Sequence, residues 1–300
     1  MSHQAHRILK VLPFAFVGLR SLKTPIHEAL QDQSRLSERT MLDHENRVRE
    51  EFTRQAETFS VSAATTDAAL TQRFLSALGE AAQKSVLDLA CGPGILSAAI
   101  AKGAREVVAF DLTPQMLQQA AQRCSEAGVD NVTFREGNAA ELPFADAAFD
   151  AAVTRLSVHH FDRPRRVFDE IFRVLRPGGR FVVADVISSE LPAEAELQNA
   201  IEILRDPSHV RMLPGSQLTS LVSGAGFDIE SLATWDKPRE FEEWMGIVND
   251  ASRVPPLRAV VRALASAGAS AGMGLSVEGN EIRFVHRWNL IAARKPSDQG

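Results

Sequence analysis

The chain has 300 residues, 45% of them apolar and 24% charged, with a formal net charge of −5. That length can bury a sizeable core as one large domain or one domain with additions, and the acidic balance argues against a general nucleic-acid binder, which would carry a basic stripe. Cys91 and Cys124 give neither a disulfide framework nor a metal-ligand spacing, so a reducing cytoplasm is the expected setting, and no apolar run reaches the roughly 18 residues of a membrane span.

Residues 1–42 read as an extension. Up to His27 it carries four Lys/Arg and no acid, and its apolar run at 11–19 is broken by Pro13. Such a segment could be a transit peptide, a surface helix, a loose extension, or sequence upstream of a start at Met41. Residues 43–59 place Val48, Phe52, Ala56 and Phe59 on one helix face. A second helix is expected at 71–78.

Residues 85–112 then read as strand, glycine turn, helix, strand. Asp88 sits at the carboxyl end of the first strand (85–89), where open α/β sheets bind ligands. Gly92 and Gly94 bracket Pro93 and let a ligand approach the backbone. The helix at 95–102 offers free N–H groups at its start. The strand at 106–110 closes in Asp111, 19 residues after Gly92, where an acid can accept from both ribose hydroxyls. Ser97 replaces the third glycine of a dinucleotide fingerprint. Asp88 would repel a pyrophosphate but could hold an ammonium group, so a nucleoside carrying an amino acid is the expected ligand.

VLDLACGPG followed by FDLTPQML resembles the first two motifs of class I S-adenosylmethionine-dependent methyltransferases, in the small-molecule branch of the ubiquinone and menaquinone C-methyltransferases. The resemblance covers residues 43–235. It implies an α/β, doubly wound Rossmann-like sheet of seven strands, ordered 3-2-1-4-5-7-6 with the last strand antiparallel, and S-adenosylmethionine as cofactor. Carried over residue by residue, it puts Asp88, Ala90, Gly92, Gly94, Asp111, Leu112, Met116, Asn138, Ala139 and Arg155 around that cofactor. Met116 could equally be core. In EGNAAELPF, Asn138 stands where the family has an Asp accepting from the adenine amino group. Its carbonyl can accept the same bond without charge.

Thr113 is an N-cap candidate, with Pro114 at the first helical position, and the helix should stop at Gly128. A strand at 131–135 and another at 149–154 follow. The latter leads into RLSVHHFDRP, where one of His159 and His160 should point inward and the other be solvated or capping. A helix at 164–175, the turn RPGG and a strand at 180–184 lead to Asp185, 26 residues after His159. The passage HHF…VLRPGG…AD resembles that of small-molecule and sugar O-methyltransferases. That resemblance implies His159 as general base on a substrate hydroxyl, oriented or charge-balanced by Asp185.

Beyond it come a helix at 193–204, a loop holding His209 and Arg211, a helix at 217–224, a strand from Phe227, helices at 239–249 and 256–267, a loop at 268–274, and a closing strand at 281–293. Residues 43–78, 186–215 and 238–275 are expected as lid elements of a methyltransferase domain spanning 43–300. Phe59, His160, His209, Phe241 and Trp244 are the candidates for lining the acceptor pocket, with Met245 beside them. Phe59 could also be an ordinary buried aromatic.

The expected activity is methyl transfer to a small molecule, aromatic or of specialised metabolism, at oxygen, carbon or nitrogen. Three alternatives stand beside it: a quinone-pathway C-methyltransferase, a cofactor-binding protein without catalysis, and an NAD(P)-dependent oxidoreductase. A nucleic-acid substrate is disfavoured because no Pro-Pro-aromatic motif follows the fourth strand. A homodimer that swaps the extension is compatible with the sequence, and nothing requires it.

Overall fold

The computed structural model describes residues 23–62 and 66–297, with side chains placed at Thr40 and from Leu42 onward. The apolar run at 11–19 and the basic stretch around it lie outside the described residues. The chain divides into two compact units, Met1–Asp43 and His44–Gly300. In the first, residues from Lys23 are helical and belong to α1 (Lys23–Val61).

The second unit is organised on one sheet. Its strands are β1 (Ser85–Leu89), β2 (Glu106–Asp111), β3 (Val132–Glu136), β4 (Phe149–Arg155), β5 (Leu175–Ile187), β6 (Asp228–Glu240), β7 (Ser276–Glu278) and β8 (Glu281–Arg294). They lie in the order β3-β2-β1-β4-β5-β8-β6, with β7 paired to β8. The first five pair in parallel, and β8 runs antiparallel to both β5 and β6. This is the expected arrangement with the closing strand counted eighth. The addition is β7, whose Glu278 faces Glu281 across a tight turn with Gly279 at φ 61°. Its three residues are too few to show an alternation, but Gly-Asn is a hairpin-turn dipeptide.

Helices cover both faces. Against one face pack α5 (Pro164–Val174) and α7 (Gly215–Gly224). Val167, Phe168, Ile171 and Val174 recur at helical spacing along α5 and are buried, and each such side chain contributes roughly 1.5–3 kcal/mol on burial. Against the other pack α2 (Ala68–Leu78) and α3 (Ile95–Ala101), through Phe74, Leu78, Leu96 and Ile100. The helix α4 (Pro114–Glu126) lies beside α3. A third cluster joins α6 (Pro192–Arg205), α8 (Phe241–Ile247) and α9 (Val254–Ser266) to the outer half of β8. No helix among the described residues is long and apolar enough to cross a membrane.

Several boundaries differ from the sequence reading for physical reasons. α2 starts at Ala68 because Asp67 caps it, accepting from the N–H groups of Ala69 and Leu70. Thr113 makes no cap bond: its hydroxyl oxygen finds no partner among the described residues, while its N–H donates to Asp111 at 2.9 Å. β5 runs on to Ile187, so Asp185 sits inside the strand opposite Asn289 rather than beyond its end. β6 continues to Glu240 because β8 is 14 residues long and offers partners out to Arg283. Pro238 is tolerated within β6 because that strand is a sheet edge.

Candidate active site

At the carboxyl ends of β1, β2 and β4 lies a cavity of about 1030 Å³. Asp88 is buried there, and one of its carboxylate oxygens accepts from the Ser97 hydroxyl at 2.5 Å. Burial pushes its carboxyl up to about 6, opposed by that bond and by the charge of Arg155. Burial also brings the Arg155 guanidinium down to about 10, with Asp88 resisting. The turn after β1 is tight: Ala90, a residue with a side chain, takes φ 52°, and Gly92 takes φ 54°. A Cβ on Gly92 would meet nothing within 4 Å.

Asp111 is held from two sides. Its oxygens accept from the N–H groups of Gly92 at 2.8 Å and Thr113 at 2.9 Å. Burial nevertheless raises its carboxyl. Leu112, Met116, Asn138 and Ala139 continue the cavity wall. The Asn138 amide donates to Glu45 at 2.6 Å and accepts from the Ala140 N–H at 2.8 Å. Asn138 therefore arrives together with a carboxylate from α1.

Gly94 is the one expected cofactor contact that does not line this cavity. It opens α3 at φ 72°, and a Cβ there would lie 2.7 Å from Ala120 on α4. Glycine is needed at that position for helix packing.

A second cavity of about 600 Å³ adjoins the first, and Phe52, Phe59, Leu156 and His160 line both. Leu156 adopts φ 54°, a strained conformation for its side chain at the boundary. His159 lines the second cavity alone. Its Nδ1 lies 2.6 Å from Asp185 Oδ1. A carboxylate only accepts, so Nδ1 carries the proton and Nε2 holds the lone pair of the neutral ring. Asp185 is fixed in turn by the N–H groups of Val186 at 2.7 Å and His159 at 3.3 Å.

Both histidines of the pair face inward, contrary to the expectation that one be solvated or capping. His160 turns Nδ1 to the Ser208 carbonyl at 3.0 Å and meets the Phe52 ring edge-on at 4.9 Å. His209 joins them, its ring centre 5.4 Å from that of His159 and its Nε2 donating to Asn199. Burial opposes a proton on all three. At His159 the charge and hydrogen bond of Asp185 outweigh burial and hold the imidazole above its usual value. At His160 and His209 burial, reinforced by the His159 charge, prevails and brings them down to about 3 and about 4. One ring of the three is thus held more basic than an ordinary imidazole while its two neighbours are held neutral. Among the described residues, no group of three or more His, Cys, Asp or Glu could hold a metal ion.

Of the other acceptor candidates, Phe59 and His160 face both cavities, while His209 and Trp244 face the second. Phe241 lines neither. It is 1% exposed within the α6–α8–α9 cluster, with Met245 beside it. A short helix half-turn of aromatics does not reveal which ring turns inward. Sequence reasoning also passed over Glu45, Ser97, Leu156, Glu202, Arg239, His286 and Trp288. Of these only Ser97 had a signal, as the residue in the third-glycine position three residues after Gly94.

The fold and the first cavity define a nucleoside-binding α/β enzyme of the methyltransferase type. A family model described as a methyltransferase domain matches residues 87–183. An uncharacterised methyltransferase of Bacillus subtilis, YcgJ, is 34% identical over 164 residues, which span 55% of this chain and 65% of the relative. A demethylmenaquinone methyltransferase of Clavibacter sepedonicus is 32% identical over 176 residues, 59% of this chain and 69% of the relative. Among solved structures, a candidate methyltransferase from Bacillus halodurans superposes with a TM-score of 0.71 at 30% identity, covering 77% of this chain and 99% of that one. The chain belongs to the class I S-adenosylmethionine-dependent methyltransferases, and S-adenosylmethionine is its cofactor. The oxidoreductase alternative is set aside.

Proposed function

We propose that the chain transfers the methyl group of S-adenosylmethionine to a small-molecule acceptor seated in the second cavity, with His159 as general base and Asp185 positioning it. The observation that carries this reading is the pair of adjoining cavities: the His159–Asp185 pair lies on the acceptor side alone, and Asp88, Asp111 and Arg155 lie on the other. In this reading residues 43–300 form the methyltransferase domain, and 43–78, 186–215 and 238–275 cover its two cavities.

The residues of the first cavity fit the cofactor. Asp111 is fixed by two backbone N–H groups, yet each oxygen keeps lone-pair capacity for a ribose hydroxyl. Asp88 and Arg155 offer opposite charges to an amino-acid end. The absent side chain of Gly92 leaves open space along the turn, with Ala90 and Ala139 adding little bulk. Leu112 and Met116 give the base an apolar slot, with Asn138 and Glu45 at its polar edge.

Bound there, the cofactor supplies a methyl group on a positively charged sulfur. The chain's part is alignment of the acceptor and exclusion of water, which in a displacement of this kind supply much of the rate. Phe52, Phe59, Leu156 and His160 frame the passage between the cavities. Where the acceptor is a hydroxyl or a protonated nitrogen, His159 Nε2 takes its proton and Asp185 balances the imidazolium that results.

Calorimetric titration with S-adenosylhomocysteine tests the cofactor half, on wild type and on Asp111→Ala. Micromolar binding that the variant loses supports the reading, and no binding to wild type overturns it. An acceptor screen with His159→Ala as control tests the other half. The likeness to the demethylmenaquinone methyltransferase favours carbon methylation of a quinone precursor as a second reading. Turnover of demethylmenaquinone, with simple phenols refused, would select it.

A further inference from the structure

The wall of the acceptor cavity farthest from the shared residues carries groups that methyl transfer does not use. It is built by α6, α8 and the outer parts of β6 and β8, and presents Glu202, Arg205, Arg239, Trp244, His286 and Trp288. Its charges are matched among themselves. Glu202 lies 3.3 Å from Arg205 and 3.3 Å from His286. Arg239 donates twice to Glu243, at 2.8 and 3.0 Å. Arg205 donates to the Trp244 carbonyl and lies 4.7 Å above that residue's ring.

What remains are donors. Trp244 and Trp288 are each 1% exposed, and neither indole N–H has a partner among the described residues. His286 Nδ1 lies 3.4 Å from an Arg239 nitrogen. A guanidinium only donates, so Nδ1 accepts and the proton of the neutral ring sits on Nε2. That Nε2 faces the Glu202 carboxylate at 3.3 Å, so its proton already has an acceptor. A buried N–H left unmade costs about 1–3 kcal/mol, and the two residues that carry such groups here, Trp244 and Trp288, both line this cavity.

We propose that this wall is the specificity subsite for the acceptor, and that it takes a neutral carbonyl oxygen through the N–H groups of Trp244 and Trp288. The inference rests on the reading that the second cavity seats the acceptor. A carbonyl supplies lone pairs and needs no proton in return, which is what a wall of donors lacks. A carboxylate is disfavoured, because Arg205 and Arg239 already face Glu202 and Glu243, and among the described residues this wall holds no further Lys or Arg to balance it. Phe52 and Phe59, which also line the cofactor cavity, supply apolar surface on that side. The acceptor is therefore an apolar or aromatic ketone, aldehyde or quinone whose methylated atom lies at the end away from its carbonyl.

The test is calorimetric titration, in saturating S-adenosylhomocysteine, of three phenols that differ at one position: 4-hydroxyacetophenone, 4-ethylphenol and 4-hydroxybenzoate. The ketone should bind about tenfold more tightly than the ethyl compound, the worth of one or two added hydrogen bonds. In Trp244→Phe/Trp288→Phe, which keeps an aromatic ring at each position and removes both N–H groups, that preference should fall to about twofold or less. Unchanged S-adenosylhomocysteine affinity in the variant verifies its fold. Equal binding of ketone and ethyl compound, no binding of the ketone, a preference for the carboxylate, or a preference that survives in the variant would each overturn the proposal. If wild type binds S-adenosylhomocysteine and lacks the preference, this subsite alone is wrong. If it binds no S-adenosylhomocysteine, the methyltransferase reading fails as well.

Discussion

The two cavities are built in different ways. Apart from the α1 residues, the cofactor cavity is walled by residues between Asp88 and Val167, nearly all at strand ends and in the loops just after them. The acceptor cavity draws on residues from Phe52 to Trp288, brought in by α1, α6, α8 and the far halves of β6 and β8. Backbone geometry fixes the first: left-handed turns at Ala90 and Gly92, and N–H groups locking Asp111. Side chains that titrate or donate make up the second. A site that holds one invariant ligand can be written into a short motif. A site that selects its ligand is assembled from whatever the additions to the sheet bring over it.

If that division holds, substitutions should separate binding of cofactor from turnover. His159→Ala should lower kcat by about 100- to 10,000-fold and leave S-adenosylhomocysteine affinity unchanged, as read by steady-state kinetics beside calorimetry. Parallel loss of both would erase the distinction. Asp111→Ala should do the reverse. It removes the acceptor for two backbone N–H groups, and at about 1–3 kcal/mol each the cofactor affinity should fall by roughly 100-fold or more.

Gly94→Ala tests whether the turn beside the cofactor cavity is constrained by packing. The added Cβ would sit 2.7 Å from Ala120 on a φ of 72°, and about 2–4 kcal/mol of stability should go in urea unfolding. A change below 1 kcal/mol would mean that α3 and α4 can part at little cost.

The pH dependence sharpens the acceptor side. His159 must be neutral to act as base, and Asp185 holds its value above the ordinary 6.5. The acid limb of kcat/KM should therefore lie above 6.5 and move down in Asp185→Asn. A limb that stays put in the variant would remove Asp185 from the mechanism. The same sign bears on folding: a raised value in the folded state adds stability that is full below 6.5 and lost as pH rises through the limb. His209, depressed to about 4 by burial, adds stability present above 6.5 and lost as pH falls toward 4. Smallest of all, Glu45→Gln should weaken S-adenosylhomocysteine by about threefold, because Asn138 keeps its bond to Ala140 while losing its carboxylate partner. An unchanged affinity would confine Glu45 to closing α1.

Much of the cofactor half was legible from Asp88, Gly92 and Asp111, because strand ends in an open α/β sheet are fixed by topology. The parallel order and the antiparallel closing strand came from the methyltransferase resemblance that those motifs carry. The packing demand on Gly94 was not legible, because a glycine beside a ligand turn and a glycine between helices look alike in sequence. The outer wall of the acceptor cavity was mostly silent. Trp288 and His286 sit in an alternating strand whose inward face could have been plain core, and Glu202 in a helix whose charged positions read as solvated. Their convergence depends on β6 and β8 outrunning β5, a length set by pairing between distant segments.

That overrun has a bearing on traffic. β6 and β8 stay paired from Asp228↔Arg294 to Glu240↔Arg283, so the roof over the acceptor is a continuation of the sheet and cannot swing. The opposite side is α1, tied down by separate polar contacts: Arg49 to Glu136 and Thr53 to Gln115 on the cofactor side, Gln55 to Asp206 on the acceptor side. On the proposed reading, spent cofactor and methylated product would both depart past the same helix. The clock of the enzyme would be the lifting of α1, and hydrogen exchange over residues 44–61 should quicken in any variant that turns over faster.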